Sequence, residues 1–315
     1  MKYAIYGAGS LGIVLSAYLK KANEEFDLID RNIKSINAIN ENGVKVVGSA
    51  ELNEKVNAIL DSEVSEKYDI IFLMTKQIGN NEIIKKASTF LKDDGVICTC
   101  QNGLPEKDVA EVIGDERTFG CAVGWGATRL DYDISKLTSE ATRESLAFSF
   151  GKFGGGSDEK LQEIKRIFSL MGEAHIEENF IGARWSKLLI NSSFSGMSAV
   201  TGLTFGEVAK NKESRVIIQR IIKECIDVAN ASNIKIEPVQ GKDIVKLLDY
   251  KGKFKKWISF VIIPIAIKKH ANLKASMLQD LEKGIKCEVD SINGVVCSYG
   301  RKFGHRIFYR NYILL

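Results

Sequence analysis

The chain opens Lys2-Tyr-Ala-Ile-Tyr-Gly-Ala-Gly-Ser-Leu-Gly12, a short apolar run that leads straight into Gly7-x-Gly9-x-x-Gly12. Few local patterns restrict a fold more. Tyr3 to Tyr6 read as a buried strand, and Leu11, Val14, Leu15, Tyr18 and Leu19 recur at helical spacing. In a strand-turn-helix of this kind Gly7 allows the tight turn, Gly9 lets backbone approach a pyrophosphate, and Gly12 lets the helix pack closely on the strand. The N–H groups of Ser10 and Leu11 at the helix start, with the positive end of the helix dipole, then hold the phosphates. A second strand, Phe26 to Ile29, ends at Asp30, about 20 residues past the last glycine, where a dinucleotide-binding unit carries its ribose-reading acid. Glycine triplets also occur by chance in loops; the flanking strand, helix and acid raise this one above that.

A chain of 315 residues exceeds the usual single core, so two domains are expected. From Tyr3 to Met171 apolar strands and amphipathic helices alternate, as a parallel sheet with crossover helices requires. The strands read as Tyr68 to Met74, Val96 to Cys100, Thr118 to Gly124 and Leu146 to Phe150. Helices read as Glu82 to Leu91, a segment after Pro105, and Asp158 to Met171, the last preceded by a glycine-rich bend at Gly151 to Ser157. The boundary falls near residue 178. Beyond it the pattern is helical: one long helix over Phe180 to Val200, and another over Ser214 to Ala231 with Val216, Ile217, Ile221, Ile222, Cys225 and Ile226 as its apolar stripe. The fold class is therefore α/β, with a Rossmann-type parallel-sheet domain over residues 1–178 and an all-helical substrate domain over 179–315.

Composition excludes several classes. A net charge of +4 with dispersed basic residues leaves no nucleic-acid footprint, and Lys251 to Lys256 reads as a solvated loop or helix start. The longest apolar stretch, Trp257 to Ile267, falls short of the ~20 residues of a membrane helix and reads as a buried helix kinked by Pro264. The first residues already belong to a strand, so no signal peptide is expected. Six cysteines without metal-ligand spacing point to reduced thiols in a cytoplasmic protein with no metal; Cys98 and Cys100 share one face of their strand.

Four segments carry polar groups that a merely structural role accounts for poorly. In Trp185-Ser-Lys187-Leu-Leu-Ile-Asn191-Ser-Ser-Phe-Ser195, Lys187, Asn191 and Ser195 are spaced to share one helix face among apolar neighbours. Taken alone, that lysine is better read as snorkelling to solvent than as entering a cleft. Gln101-Asn102-Gly103 follows a strand end, where open α/β sheets bind ligands, but Asn-Gly is equally a turn signal. Lys76, past the end of another strand, meets a phosphate or ribose, or caps a surface turn. Ser276 to Asp280 precedes Glu288-Val-Asp290-Ser-Ile-Asn293-Gly294, where helix-start carboxylates are favoured on electrostatic grounds alone.

Together these segments resemble the ketopantoate reductase family, in order and roughly in spacing across nearly the whole chain. The matching pieces are Gly7 to Gly12, Thr75-Lys76, Gln101-Asn102-Gly103, Trp185 to Asn191, Ser276 to Asp280 and Glu288 to Gly294. The resemblance implies NADPH-dependent reduction of ketopantoate to D-pantoate, a step serving pantothenate and coenzyme A synthesis, with a small 2-oxo acid as substrate. It makes Lys187 the proton donor and Asn102 and Asn191 the groups that orient substrate and lysine. Glu288 then contacts the far hydroxyl of the substrate, and Ser276 and Asp280 complete the pocket. It allows a homodimer.

The departures are as informative. Ser195 stands where the family often has a second asparagine, Trp125 to Asp133 lacks the usual Pro-Gly turn, and His305 to Leu315 lacks the usual Thr-Pro. Arg31 occupies the family's position for the 2′-phosphate of NADP, yet Asp30 beside it is the residue type that accepts a ribose 2′-hydroxyl. The expected cofactor is NADP, with NAD as the alternative. Two other readings stay open: a D-2-hydroxyacid or opine-type dehydrogenase of broader range, NAD-dependent in one form, and a nicotinamide-binding sensor without turnover.

Overall fold

The computed structural model describes residues 1–238, 243–305 and 307. The chain divides into two compact units, Met1–Gln101 with Pro105–Phe180, and Asn102–Leu104 with the chain from Ile181 onward.

The first unit runs β1 (Tyr3–Tyr6), α1 (Ser10–Lys21), β2 (Asp27–Asp30), α2 (Ile33–Asn42), β3 (Val44–Gly48), β4 (Leu52–Glu54), β5 (Asn57–Leu60), β6 (Tyr68–Leu73), α3 (Asn80–Ser88), β7 (Leu91–Thr99), α4 (Glu106–Ile113), β8 (Thr118–Val123), β9 (Ala127–Arg129), β10 (Ile134–Leu137), β11 (Phe148–Lys152), α5 (Asp158–Ser169) and β12 (Ala174–Ile176). Its main sheet has the order β5-β2-β1-β6-β7-β8, extended by β11 and β12. The first six strands are parallel and follow the order of a doubly wound dinucleotide-binding sheet; β11 runs antiparallel to β8. The strands are apolar on both faces because both are covered. Tyr3, Ile5, Ile70, Phe72, Val96, Cys98 and Cys100 enter one core, while Ala4, Tyr6, Ile71, Leu73 and Ile97 enter the other.

A second sheet, β4-β3-β10-β9, goes beyond the sequence reading. It packs on α1, which is why Gly12 to Ala17 are all buried rather than one face only. Its strands are three to five residues long; β3 and β10 alternate buried with more exposed positions and β4 and β9 bury no residue fully, so they present no apolar run to read.

The described part of the second unit is helical: α6 (Phe180–Ile190), a π-helical turn (Asn191–Ser195), α7 (Gly196–Thr201), α8 (Phe205–Lys210), α9 (Lys212–Ala231), α10 (Ile244–Leu248), α11 (Lys253–Ala266), α12 (Ser276–Glu282) and α13 (Val289–Lys302). Thr204 starts α8 with a reciprocal capping box to Glu207. In α9, Ile221, Ile222, Cys225 and Ile226 are buried as expected, but Val216 faces solvent and Ile218 takes the inward position. The expectation of a buried Trp257 to Ile267 is also corrected. In α11 Ser259 and Ile263 face inward, whereas Phe254, Trp257, Val261 and Ile265 are exposed. Apolar composition all round a helix does not say which side packs; neighbours on one side alone leave the other side in water. The helix continues through Pro264. Of the atypical C-terminal stretch, residues 306 and 308–315 lie outside the described residues.

Candidate active site

The glycine turn shows three different steric demands. Gly7 has φ +121, and a Cβ there would sit 2.7 Å from the backbone nitrogen of Thr75. A Cβ on Gly12 would lie 1.9 Å from the carbonyl oxygen of Gly7, so that residue must be bare for α1 to reach the sheet. Gly9 differs: a Cβ there would meet nothing within 4 Å. It faces open space at the start of α1, whose N-cap has no side-chain partner and whose first turn carries no acidic residue. The N–H groups of half-buried Ser10 and Leu11 therefore sit at a helix N-terminus without a side-chain cap, beside the open space at Gly9, a donor set of the kind that fits a dinucleotide.

At the end of β2 the half-buried Asp30 is held by backbone donors on both sides. Its Oδ2 accepts from Ala8 N–H at 2.6 Å and its Oδ1 from Asn32 N–H at 2.8 Å. Asn32 in turn caps α2 through Lys34 N–H at 3.0 Å. Tyr6 donates its hydroxyl to Asp61 Oδ2 at 2.9 Å. Burial first, then the bond to Asp61 and the negative charges of Asp61 and Asp30, hold the Tyr6 phenol well above its ordinary range, so it stays a donor. Arg31 is exposed.

Beyond β6 and β7 the polar residues form a second group. Buried Gln101 receives the Thr99 hydroxyl at 3.0 Å and donates to Asn80 Oδ1 at 2.8 Å and Thr75 Oγ1 at 3.1 Å. It thereby ties the loop after β6, which carries exposed Lys76, to the end of β7. Asn102 is half-buried, and Gly103 follows at φ +80, so the turn reading of Asn-Gly holds in the backbone. Residues 102–104 cluster with the helical unit, and Leu104 enters that unit's core.

In the helical unit Lys187 lies half-buried on α6, one turn before Asn191. The helix does not continue as α from there. Asn191 to Ser195 form a π turn, so Ser195 does not stay on the regular i, i+4, i+8 face expected with Lys187 and is itself buried. Carbonyls around this wider turn are taken up by local hydroxyls: Ser193 Oγ donates to Leu189 O at 2.7 Å and Ile190 O at 3.2 Å. From α13, Asn293 Nδ2 reaches Ser192 O at 2.7 Å. Helices α8, α9, α12 and α13 pack around the turn, and burial pushes the adjacent Cys225 thiol up to about 12. Glu288 is buried at the N-cap of α13. On α12, Asp280 is buried but Ser276 is exposed at the first position, so the two do not share one environment.

Gln101, Asn80, Asp61 and Asn293 are the polar positions whose part in this arrangement the sequence does not announce. Gln101 and Asn293 lie inside the matched motifs; Asn80 and Asp61 carry no motif signal.

A doubly wound sheet with an open glycine cradle, followed by a helical unit that presents a half-buried lysine beside a distorted turn, defines a dinucleotide-dependent oxidoreductase. The chain belongs to the ketopantoate reductase family: the model described as "Ketopantoate reductase PanE/ApbA" matches residues 3–145, and "Ketopantoate reductase PanE/ApbA C terminal" matches residues 179–314. This is a family of nicotinamide-dinucleotide-dependent oxidoreductases that act on a CH–OH group. The chain is 25% identical over 303 residues to the 2-dehydropantoate 2-reductase of Pyrococcus horikoshii, covering 96% of this chain and 91% of that protein. It is 27% identical over 302 residues to that of Pyrococcus abyssi, with the same coverage. Among solved structures it resembles D-mandelate dehydrogenase with NADH and anilino(oxo)acetate, at TM-score 0.84 and 22% identity over 99% of this chain and 96% of that one. It also resembles 2-dehydropantoate 2-reductase from Geobacter metallireducens, at TM-score 0.80 and 21% identity over 99% and 97%. Among the described residues no helix is long and apolar enough to cross a membrane.

Proposed function

We propose that this chain reduces ketopantoate to D-pantoate, with residues 1–178 holding the nicotinamide dinucleotide and residues 179–315, together with Asn102, supplying the groups that act on the 2-oxo acid. The observation that carries the reading is Lys187, half-buried on α6 and one turn before a π-distorted segment, in a chain matched by the family along both units. π turns recur at functional sites because they alter which side chains a helix presents.

When bound, the reduced nicotinamide supplies a hydride to the ketone carbon. Negative charge then grows on the ketone oxygen; the Lys187 ammonium stabilises it and donates the proton that completes the alcohol. Asn102 and Asn191 hold the carbonyl and the lysine in register. Glu288 accepts a hydrogen bond from the substrate's hydroxyl, with Asp280, Ser195 and Ser276 bounding the pocket. The uncapped start of α1 and the open face of Gly9 receive the diphosphate, and Lys76 lies at the sheet end that faces the ligand. For the adenosine end, Arg31 supports a 2′-phosphate and hence NADPH; Asp30 supports a ribose hydroxyl and hence NADH.

The test is a set of initial rates with ketopantoate, its deoxy analogue and phenylglyoxylate, each with NADPH and NADH. A site built to bond a substrate hydroxyl rejects the analogue lacking it by as much as about 10⁴–10⁵ in favourable cases, because a buried polar group is left unpaired. A strong preference for ketopantoate, reduced in Glu288→Gln, supports the reading. Comparable kcat/KM for all three acids replaces it with a broader D-2-hydroxyacid dehydrogenase, and no turnover with any acid leaves a nicotinamide-binding sensor.

A further inference from the structure

β2 and β5 are parallel neighbours with Asp30 opposite Leu60, so the next residue, Asp61, emerges at the same sheet edge as Asp30. Asp61 N–H donates to the carbonyl of Asp30 at 3.0 Å, which fixes the two backbones together. Neither carboxylate is loose. Asp30 is bonded to the N–H of Ala8, inside the glycine turn, and to that of Asn32; Asp61 is bonded to the hydroxyl of Tyr6, a residue only 2% exposed.

We propose that Asp30 and Asp61 together make this a receptor for a dinucleotide with a free ribose 2′-hydroxyl, so that the chain selects NADH and rejects NADPH. This rests on reading the N-terminal unit as a nicotinamide-dinucleotide site, and it departs from the NADPH that the family resemblance implies. Each carboxylate oxygen has two lone pairs, so an Asp30 oxygen that already accepts one N–H can still accept a hydroxyl hydrogen. A phosphate ester offers only acceptors there and brings about −1.5 to −2 charge at neutral pH against two tethered carboxylates. Asp30 cannot turn away without surrendering the Ala8 and Asn32 bonds. Arg31 offsets at most one charge, and it does so from an exposed position where solvent and salt weaken the attraction.

The experiment is a titration of the full chain with NADH and with NADPH at physiological salt, read by nicotinamide fluorescence without substrate. The native protein is expected to bind NADH at least about tenfold more tightly, or 1.4 kcal/mol. Asp61→Asn keeps an acceptor for Tyr6 and removes only the charge; Asp30→Asn keeps one acceptor oxygen. Both should narrow the ratio, chiefly by tightening NADPH, with circular dichroism confirming the fold. Tighter NADPH binding by the native chain, with selective loss in Arg31→Ala, overturns the proposal while leaving the reductase reading intact. An unchanged ratio in folded Asp61→Asn and Asp30→Asn also overturns it. Binding of neither dinucleotide overturns both.

Discussion

The glycine turn and the π turn solve the same problem from opposite sides. Between Gly7 and Gly12 the groups proposed to meet the ligand are backbone N–H donors, and what the residues contribute is the absence of side chains: a Cβ would collide with backbone at positions 7 and 12. Between Lys187 and Ser195 the proposed groups are side chains, and from Asn191 the backbone itself departs from the α-helix. The first arrangement is rigid because alternatives clash. The second persists because neighbours absorb its loosened carbonyls, Ser193 from within the helix and Asn293 from α13. Steric exclusion can be written into a motif of three residues, whereas a supported distortion needs partners distant in the chain.

The comparison breaks first at Lys187. Lys187→Ala should lower kcat by about 10²–10⁴, the usual contribution of a positioned acid, with the dissociation constant for dinucleotide unchanged. Near-normal turnover would remove the chemical role from the helical unit. The glycine turn is tested by a pair of substitutions. Gly12→Val should destabilise the chain by about 3 kcal/mol in urea denaturation, because Cβ meets the Gly7 carbonyl oxygen. Gly9→Ala meets nothing and should leave stability within about 0.5 kcal/mol while weakening dinucleotide binding. If both variants behave alike, the three glycines do not have separate jobs.

Asn293→Ala sharpens the other side. Stripping the amide from the Ser192 carbonyl in a buried setting should cost about 1–3 kcal/mol. If Asn293 positions the turn, kcat should fall more than KM rises; an effect on stability alone would make it a packing residue.

The smallest effect concerns the sheet unit in acid. Burial raises the Asp69 carboxyl, but bonds from Lys92, the Lys2 N–H and Lys160 outweigh it and hold it at about 2. Its folded value is thus depressed, so its contribution is complete above the unfolded value near 3.9 and is lost as pH falls through about 2. Asp69→Asn should therefore be less stable than the native chain at neutral pH, and the gap should close as pH is lowered toward about 2. A gap independent of pH would assign the effect to packing.

Features whose cause is local are legible in the residues alone. Gly7, Gly9 and Gly12 could be read because turn, close approach and packing each demand the same residue type at a fixed offset. Tyr68 to Leu73 and Tyr3 to Tyr6 could be read because a strand covered on both faces is predominantly apolar, with Asp69 the one charged exception. The long helical stretch from Phe180 was legible from its periodicity, but its π turn was not. Three serines within Asn191 to Ser195 are its only local trace, a side-chain type that bonds back to helix carbonyls. The remaining features depend on packing between distant segments. That packing turned Trp257 outward, because packing on one side selects a face that composition leaves undefined. It assembled the second sheet over α1 from strands too short to signal themselves. It also brought Asp61 beside Asp30 at the ends of neighbouring strands: strand order and register set that approach, and they follow from pairings between segments some thirty residues apart.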